Sequence, residues 1–156
     1  MNRPTPLDLT DEAIAGAVLE LQRAAYAVEA GLIGSDGIPA LTETLDALRA
    51  AGEEWLGIVD DEGLAGAVSW RALGDGTIDI HRLVVAPRAL RRGVASALLD
   101  GLDGAFPERS MVVSTGSANE PALALYRRRG FGVVGEREVV PGLFITELAR
   151  RRPAAR

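Results

Sequence analysis

The sequence predicts an α/β chain of the α+β type, a mixed and mostly antiparallel sheet of six to seven strands flanked by about four helices. Three observations carry that expectation. Two apolar runs, "WLGIVD" and "LAGAVSW", flank "DEG" and read as an antiparallel hairpin. Strand and helix patterns then alternate from Thr77 to Arg129. A further strand pair, "FGVVGEREVV" and "GLFITELA", closes the pattern.

Each element has a local reason. "PLDL" reads as a short first strand, and Thr10 as the cap of a helix whose first turn holds Asp11 and Glu12, where carboxylates suit the helix dipole. Ile14, Val18, Leu21, Ala25 and Val28 recur at helical spacing, so this helix is expected from Asp11 to about Ala30, where "GLIGSDG" breaks it. Pro39 suits the first turn of a second helix, with Leu41, Leu45 and Leu48 inward and Gly52 as its stop. After the hairpin and the turn "GDG" comes the strand "TIDIHRLVV". The helix opening at Gly93 places Val94, Ala97, Leu98, Leu102 and Ala105 on one face. "SMVVST" is another strand. In "NEPALALYRRR", Asn119 caps a helix, Pro121 fits its first turn and Gly130 its end. Residues 1–150 are thus expected to form one domain, and "RRPAAR", 151–156, a disordered tail.

Composition excludes several chemistries. At 156 residues, 47% apolar and 25% charged, the chain has material for a sizeable core. A formal net charge of −5 argues against nucleic acid as a partner. No apolar run reaches membrane-spanning length, and "MNRPTPLDLT" lacks the apolar centre of a secretory signal, so no membrane partner and a cytoplasmic location are expected. There is no cysteine, hence no disulfide and no thiolate nucleophile, and the single histidine, His81, leaves no cluster for a metal. All 17 Lys-plus-Arg positions are arginine, which removes a Schiff-base lysine and a phosphate loop of the G-x-x-x-x-G-K type. Gly130-Phe-Gly132-Val-Val-Gly135 matches G-x-G-x-x-G in letters only. A helix precedes it and a strand follows, the reverse of a dinucleotide site.

"LRRGVASALL", Leu90–Leu99, has the opposite polarity: strand, turn, helix. Gly93 permits an unusual backbone conformation, Ala95 and Ser96 allow close approach, and Arg91 and Arg92 add charge to the positive end of a helix. Such a turn suits a diphosphate held by backbone N–H groups. The plain alternative is a turn with solvated arginines. In the strand before it, period two places Thr77, Asp79, His81, Leu83 and Val85 on one face, polar at its start and apolar at its end. A single polar strand residue is most often a satisfied structural group. Here the functional alternative is that Asp79 and His81 line a cleft as bases. Tyr126, seven residues beyond Asn119, has core packing as its ordinary role.

Together these stretches resemble the GNAT superfamily of N-acetyltransferases from about Glu54 to the last strand, so the expected sheet is GNAT-like. That family's strand ends L-x-V-x-P, matched by Leu83, Val85 and Pro87, and its helix opens with Arg/Gln-x-x-Gly-x-Gly/Ala, here Leu90-Arg91-Arg92-Gly93-Val94-Ala95. Its later segment N-x-x-A-x-x-x-Y-x-x-x-G-F is matched by Asn119, Ala122, Tyr126, Gly130 and Phe131. Leu90 departs from the Arg/Gln position, for which Arg88 or Arg91 are the candidate substitutes. The resemblance implies acetyl-CoA as co-substrate, with no metal. Its pantetheine arm would pair with Leu83, Val84 and Val85, its pyrophosphate would sit on Arg91, Arg92, Gly93, Val94, Ala95 and Ser96, and Asn119 would contact the arm.

The same resemblance implies direct attack of an amine on the thioester. Asp79 stands where histone-type relatives carry a glutamate base, His81 competes for that role, and a backbone N–H near Val85 would face the oxyanion. Tyr126 resembles the general acid; a phenol with a pKa of about 10 protonates a thiolate whose conjugate acid lies near ~8.5 only slightly uphill. Tyr26, Glu29 and Glu43 are placed to meet a cationic amine, although on helices such residues are more often plain surface. The favoured acceptor is a small-molecule amine. Protein acetylation at lysine or an N-terminus stays open, as does a non-enzymatic CoA-binding sensor. A homodimer is common in such folds.

Overall fold

The computed structural model describes residues 2–33 and 42–152. In chain order it contains β1 (Thr5–Pro6), α1 (Glu12–Ile33), α2 (Leu45–Ala50), β2 (Glu54–Asp60), β3 (Gly63–Ala72), β4 (Ile78–Val85), α3 (Val94–Ala105), β5 (Met111–Gly116), α4 (Glu120–Arg128), β6 (Gly132–Val140) and β7 (Leu143–Arg150). A 3-10 turn, Pro87–Ala89, joins β4 to α3. The seven strands form one sheet in the order β1-β2-β3-β4-β5-β7-β6, antiparallel throughout except between β4 and β5. Val68, Ile78, Leu98, Leu102, Met111 and Leu148 are fully buried at its centre. The expected mixed, mostly antiparallel sheet of six to seven strands with about four helices is what the described residues adopt, with seven strands and four α-helices.

Local chemistry shifts several boundaries. The first strand is only Thr5–Pro6, paired with Gly57 and Leu56, because the Asp8 carboxylate accepts from Thr10 N at 2.9 Å and Thr10 Oγ1 at 2.6 Å and so turns the chain. The same use of Thr10 corrects its assignment as a cap. Asp11 caps α1 instead, its Oδ1 accepting from Ala13 N at 2.9 Å and Ile14 N at 3.3 Å. The helix continues to Ile33, past the predicted Ala30, and Val28 on it is 41% exposed rather than inward. Pro39, Leu41 and the side chain of Glu29 lie outside the described residues. The second helix begins at Leu45, where Thr44 Oγ1 accepts from Ala47 N at 3.2 Å, and Leu48 is its buried residue. Ala105, expected inward, is exposed at the last turn of α3. The start of the presumed tail is anchored: Arg152 N donates to Ser110 Oγ at 2.9 Å and its guanidinium to Pro107 O, so only 153–156 lie outside the described residues.

The most informative correction concerns β4. Trp70 pairs with Ile80 but Ser69 pairs with Arg82, so His81 has no partner on β3 and the strand bulges there. The extra residue ends the simple alternation. Ile78, Ile80, Leu83 and Val85 share the face toward α3, whereas Asp79, Arg82 and Val84 face the other way, toward α1. Asp79 and Leu83 are therefore not on one face, contrary to the period-two expectation.

Candidate functional site

Beyond the bulge, β4 and β5 separate. Their parallel pairing covers only Ile78–Ile80 against Met111–Val113. Ala86 N donates to Ala65 O of β3 at 2.8 Å, and antiparallel alternation then points the N–H of Val85 and of Leu83 to the opposite edge. That edge faces a gap where β5 has diverged. A short run of unpaired backbone, Leu83–Val85, thus lies open to an extended ligand.

Two hollows meet at this gap. One, of about 190 Å³, is lined by Ala25, Val28, Val84, Val85, Leu90, Ala95, Pro121 and Leu125. The other, of about 120 Å³, is lined by Ile80, His81, Arg82, Val113, Ser114, Thr115 and Tyr126. Tyr26, Leu83, Asn119 and Ala122 line both, so the two hollows adjoin where the strands splay. Tyr126 is 3% exposed and packs edge-on against Phe131, centroids 5.4 Å apart. Asn119 is 9% exposed, and its Oδ1 caps α4 by accepting from Ala122 N at 3.2 Å.

The first hollow runs toward the N-terminus of α3. Gly93 occupies the N-cap with φ +78° and has no side chain to satisfy the helix, whose first interior bond is Ala97 N to Gly93 O at 2.9 Å. The N–H groups of Val94, Ala95 and Ser96 precede that bond and have no intrahelical acceptor. Arg91, with φ +63°, is a non-glycine residue in the left-handed region, and Arg91 and Arg92 are exposed beside the same N–H groups. Strained backbone of this kind collects where geometry serves a ligand. The residues fit a diphosphate on an extended arm: uncapped donors, free guanidinium groups, then an open strand edge. Gly66 makes this possible, since a Cβ there would lie 2.5 Å from Val94 Cγ1 and hold α3 off the sheet. Arg88, by contrast, is not available to replace the missing Arg/Gln at Leu90. Its guanidinium is held by Asp60 at 2.7 and 3.0 Å and by Glu62 at 3.2 Å.

The second hollow is polar, and part of its chemistry was invisible to the motif. Asp79 Oδ2 lies 3.1 Å from His81 Nε2, and Glu53 Oε2 lies 3.5 Å from His81 Nδ1. The Glu53 side chain is 4% exposed and also receives Ser69 Oγ at 2.6 Å and Arg82 Nε at 3.0 Å. Arg82 reaches further, to Gln22 Oε1 at 2.7 Å and to both oxygens of Glu43. Burial disfavours the Glu43 carboxylate, but hydrogen bonds from Arg82 and Gln22 and the Arg82 charge outweigh it and hold its pKa below the usual value. Glu43 is therefore committed to Arg82 and is not free to meet an amine. Tyr26 does line the acceptor-side hollow. Glu53, Arg82, Gln22 and Ser69 come together from four separate stretches of chain, so no local spacing announced them. Among the described residues no His, Cys, Asp and Glu group is arranged to hold a metal ion, and no helix is long and apolar enough to cross a membrane.

The chain is similar to known proteins in sequence and in fold. The chain is 34% identical over 134 residues to the UPF0157 protein YqkA of Bacillus subtilis (strain 168), a match covering 85% of this chain and 39% of that protein. The chain thus spans about two-fifths of the length of that curated relative. Its fold resembles the ribosomal-protein-S18-alanine N-acetyltransferase of Escherichia coli, with TM-score 0.78 and 18% identity over 99% of this chain and 96% of that one. It also resembles an aminoglycoside 6'-N-acetyltransferase complexed with coenzyme A, with TM-score 0.74 and 14% identity over 98% and 100% of the two chains. The family model for the acetyltransferase (GNAT) family matches residues 17–131, from the middle of α1 through Phe131 and across both hollows. An open β4 edge leading to an uncapped α3, matched along this span, identifies the chain as a member of the GNAT acetyltransferase family.

Proposed function

We propose that this chain transfers an acetyl group from acetyl-CoA to a primary amine in a ternary complex. The carrying observation is that the two hollows share walls at the β4–β5 gap, which suits a donor and an acceptor approaching each other from its two sides. On this reading Leu83–Val85 hold the pantetheine arm, with Asn119 beside it, and Arg91–Ser96 hold the pyrophosphate. Acetyl-CoA supplies the activated thioester carbonyl. The Val85 N–H is the donor facing the gap and is available to that carbonyl oxygen as charge develops there. Asp79 and His81 take the proton that the acceptor ammonium must lose, and Tyr126 returns a proton to the departing thiolate. The acceptor-side cluster holds Glu43, Glu53 and Asp79 against Arg82 and His81. Its acid excess suits a cationic small-molecule amine, with Tyr26 on the wall.

Two measurements test this. Acetyl-CoA at 100 times its dissociation constant should stabilise the fold by about 2.7 kcal/mol, while NAD and adenosine leave the unfolding midpoint in place. An amine screen following CoA release should then find turnover that falls at least tenfold in Tyr126→Phe, with acetyl-CoA affinity preserved. Peptides bearing a free N-terminus or lysine belong in the same screen, because turnover on them alone would assign the chain to protein acetylation. Binding without turnover on any amine would leave a CoA sensor.

A further inference from the structure

His81 is placed unusually for a base. It is the supernumerary residue of a bulge, and each of its two ring nitrogens faces a carboxylate. The Asp79 side chain is 34% exposed, whereas that of Glu53 is only 4% exposed. A buried carboxylate needs strong partners to remain ionised. Glu53 has them in Ser69 Oγ and in the Arg82 guanidinium, at 2.6, 3.0 and 3.1 Å. Arg82 is shared, however, since its remaining donors go to Glu43 and Gln22. One guanidinium charge faces two carboxylates, Glu43 partly and Glu53 almost wholly buried, so the Arg82 group carries one formal negative charge in excess, and Glu53 presents it to the imidazole.

We propose that Glu53 is a positioning residue of the acceptor site that acts through His81. This rests on His81 belonging to the proton path of the proposed acetyl transfer. When the acceptor ammonium loses a proton to His81, an N–H bond of the ammonium breaks and one forms on the ring. The ring then carries N–H groups on both nitrogens and one positive charge. Asp79 accepts one of these N–H groups and Glu53 the other, while Glu53 supplies the charge that offsets the imidazolium. Among the described residues, the charged and titratable groups around the ring are Asp79 and Arg82 from β4, Glu53 from the segment entering β2, and Tyr26 and Tyr126 on the wall from α1 and α4, with Arg71 of β3 opposite Asp79 and Glu43 on Arg82. Of these, Glu53 alone combines burial with a direct line to Nδ1.

Because His81 is the single histidine of the chain, its ring can be followed alone by NMR in the intact protein without knowing the acceptor. In Glu53→Gln the pH at which the ring signals change should fall by roughly half a unit or more, since a favourable charge is removed. Glu53→Asp should restore most of the shift, and acetyl-CoA affinity should stay within about twofold of wild type. With an acceptor in hand, Glu53→Gln should lower kcat about tenfold or more, with little change in the acceptor KM. Ring signals in Glu53→Gln that titrate as in wild type would overturn the proposal. Should that variant not fold, Ser69→Ala, which frees the same carboxylate from its hydroxyl anchor, must move the ring titration, and no movement would also overturn it. Failure of wild type to bind acetyl-CoA would instead sink the acetyl-transfer reading and leave the ring measurement standing.

Discussion

Two partly buried ion clusters among the described residues are built with opposite ratios. In one, Asp103 of α3 is shared by arginines: Arg129 at 3.0 Å, Arg150 in direct contact and Arg152 at 4.0 Å. In the other, Arg82 is shared by Glu43 and Glu53. The first joins α3 to the end of α4 and to β7, and Arg150 also lies over the Phe131 ring at 5.0 Å. It contains no member of either hollow and does the work of a rivet. The second also joins distant segments, but its surplus charge is negative and touches His81. Both clusters stabilise; only the ratio of acid to base separates a structural knot from one that faces chemistry.

Breaking each cluster at its shared member should show the difference. Arg82→Met leaves two carboxylates without a cation and is expected to cost about 3–5 kcal/mol in urea unfolding and, on the proposed reading, to abolish turnover. Asp103→Asn should cost less, about 1–3 kcal/mol, because Asp103 is a quarter exposed and the amide keeps an oxygen that can accept from its arginines. Its acetyl-CoA affinity should stay within about twofold. An Asp103 variant that loses turnover while its fold is intact would erase the distinction.

Acid should strain both clusters together. Burial opposes ionisation of Asp103, but hydrogen bonds and charge from Arg150 and Arg129 outweigh it, so its pKa lies below the ordinary value, as does that of Glu43. A depressed carboxylate contributes stability that is complete above its unfolded pKa, about 3.9 for Asp and 4.3 for Glu, and that is lost as pH falls through the folded values. Stability should therefore hold down to about pH 5 and decline below it, and Asp103→Asn should flatten that decline. The smallest effect is expected from Arg88→Ala. Its partners Asp60 and Glu62 are surface groups, so stability should change by no more than about 1 kcal/mol and acetyl-CoA affinity by less than twofold.

The succession of elements along the chain and the turn before α3 were legible because their signals are local. Hydrophobic period marked the hairpin, Gly93 marked a turn that needs positive φ, and Asn119 with Pro121 marked the start of α4. The acceptor side was not. Gln22, Glu43, Glu53 and Arg82 are spread over 60 residues of chain and meet only after the sheet forms. The bulge hid for another reason: "TIDIHRLVV" satisfies period two in either phase, and an inserted residue leaves no trace in an alternating string. The same limit explains Thr10, whose hydroxyl was available to two competing turns and went to Asp8.

The bulge has an implication for how such a site can change. The β3–β4 ladder counts Ile80 and Arg82 as neighbours and passes over His81. The side chain there has no residue opposite it on β3, and its ring meets Asp79 and Glu53 instead. The backbone ladder therefore places no demand of its own on which side chain fills the position; only those two carboxylates do. On the reading proposed above, evolution and engineering alike would find proton chemistry easier to retune at residue 81 than at either of its neighbours.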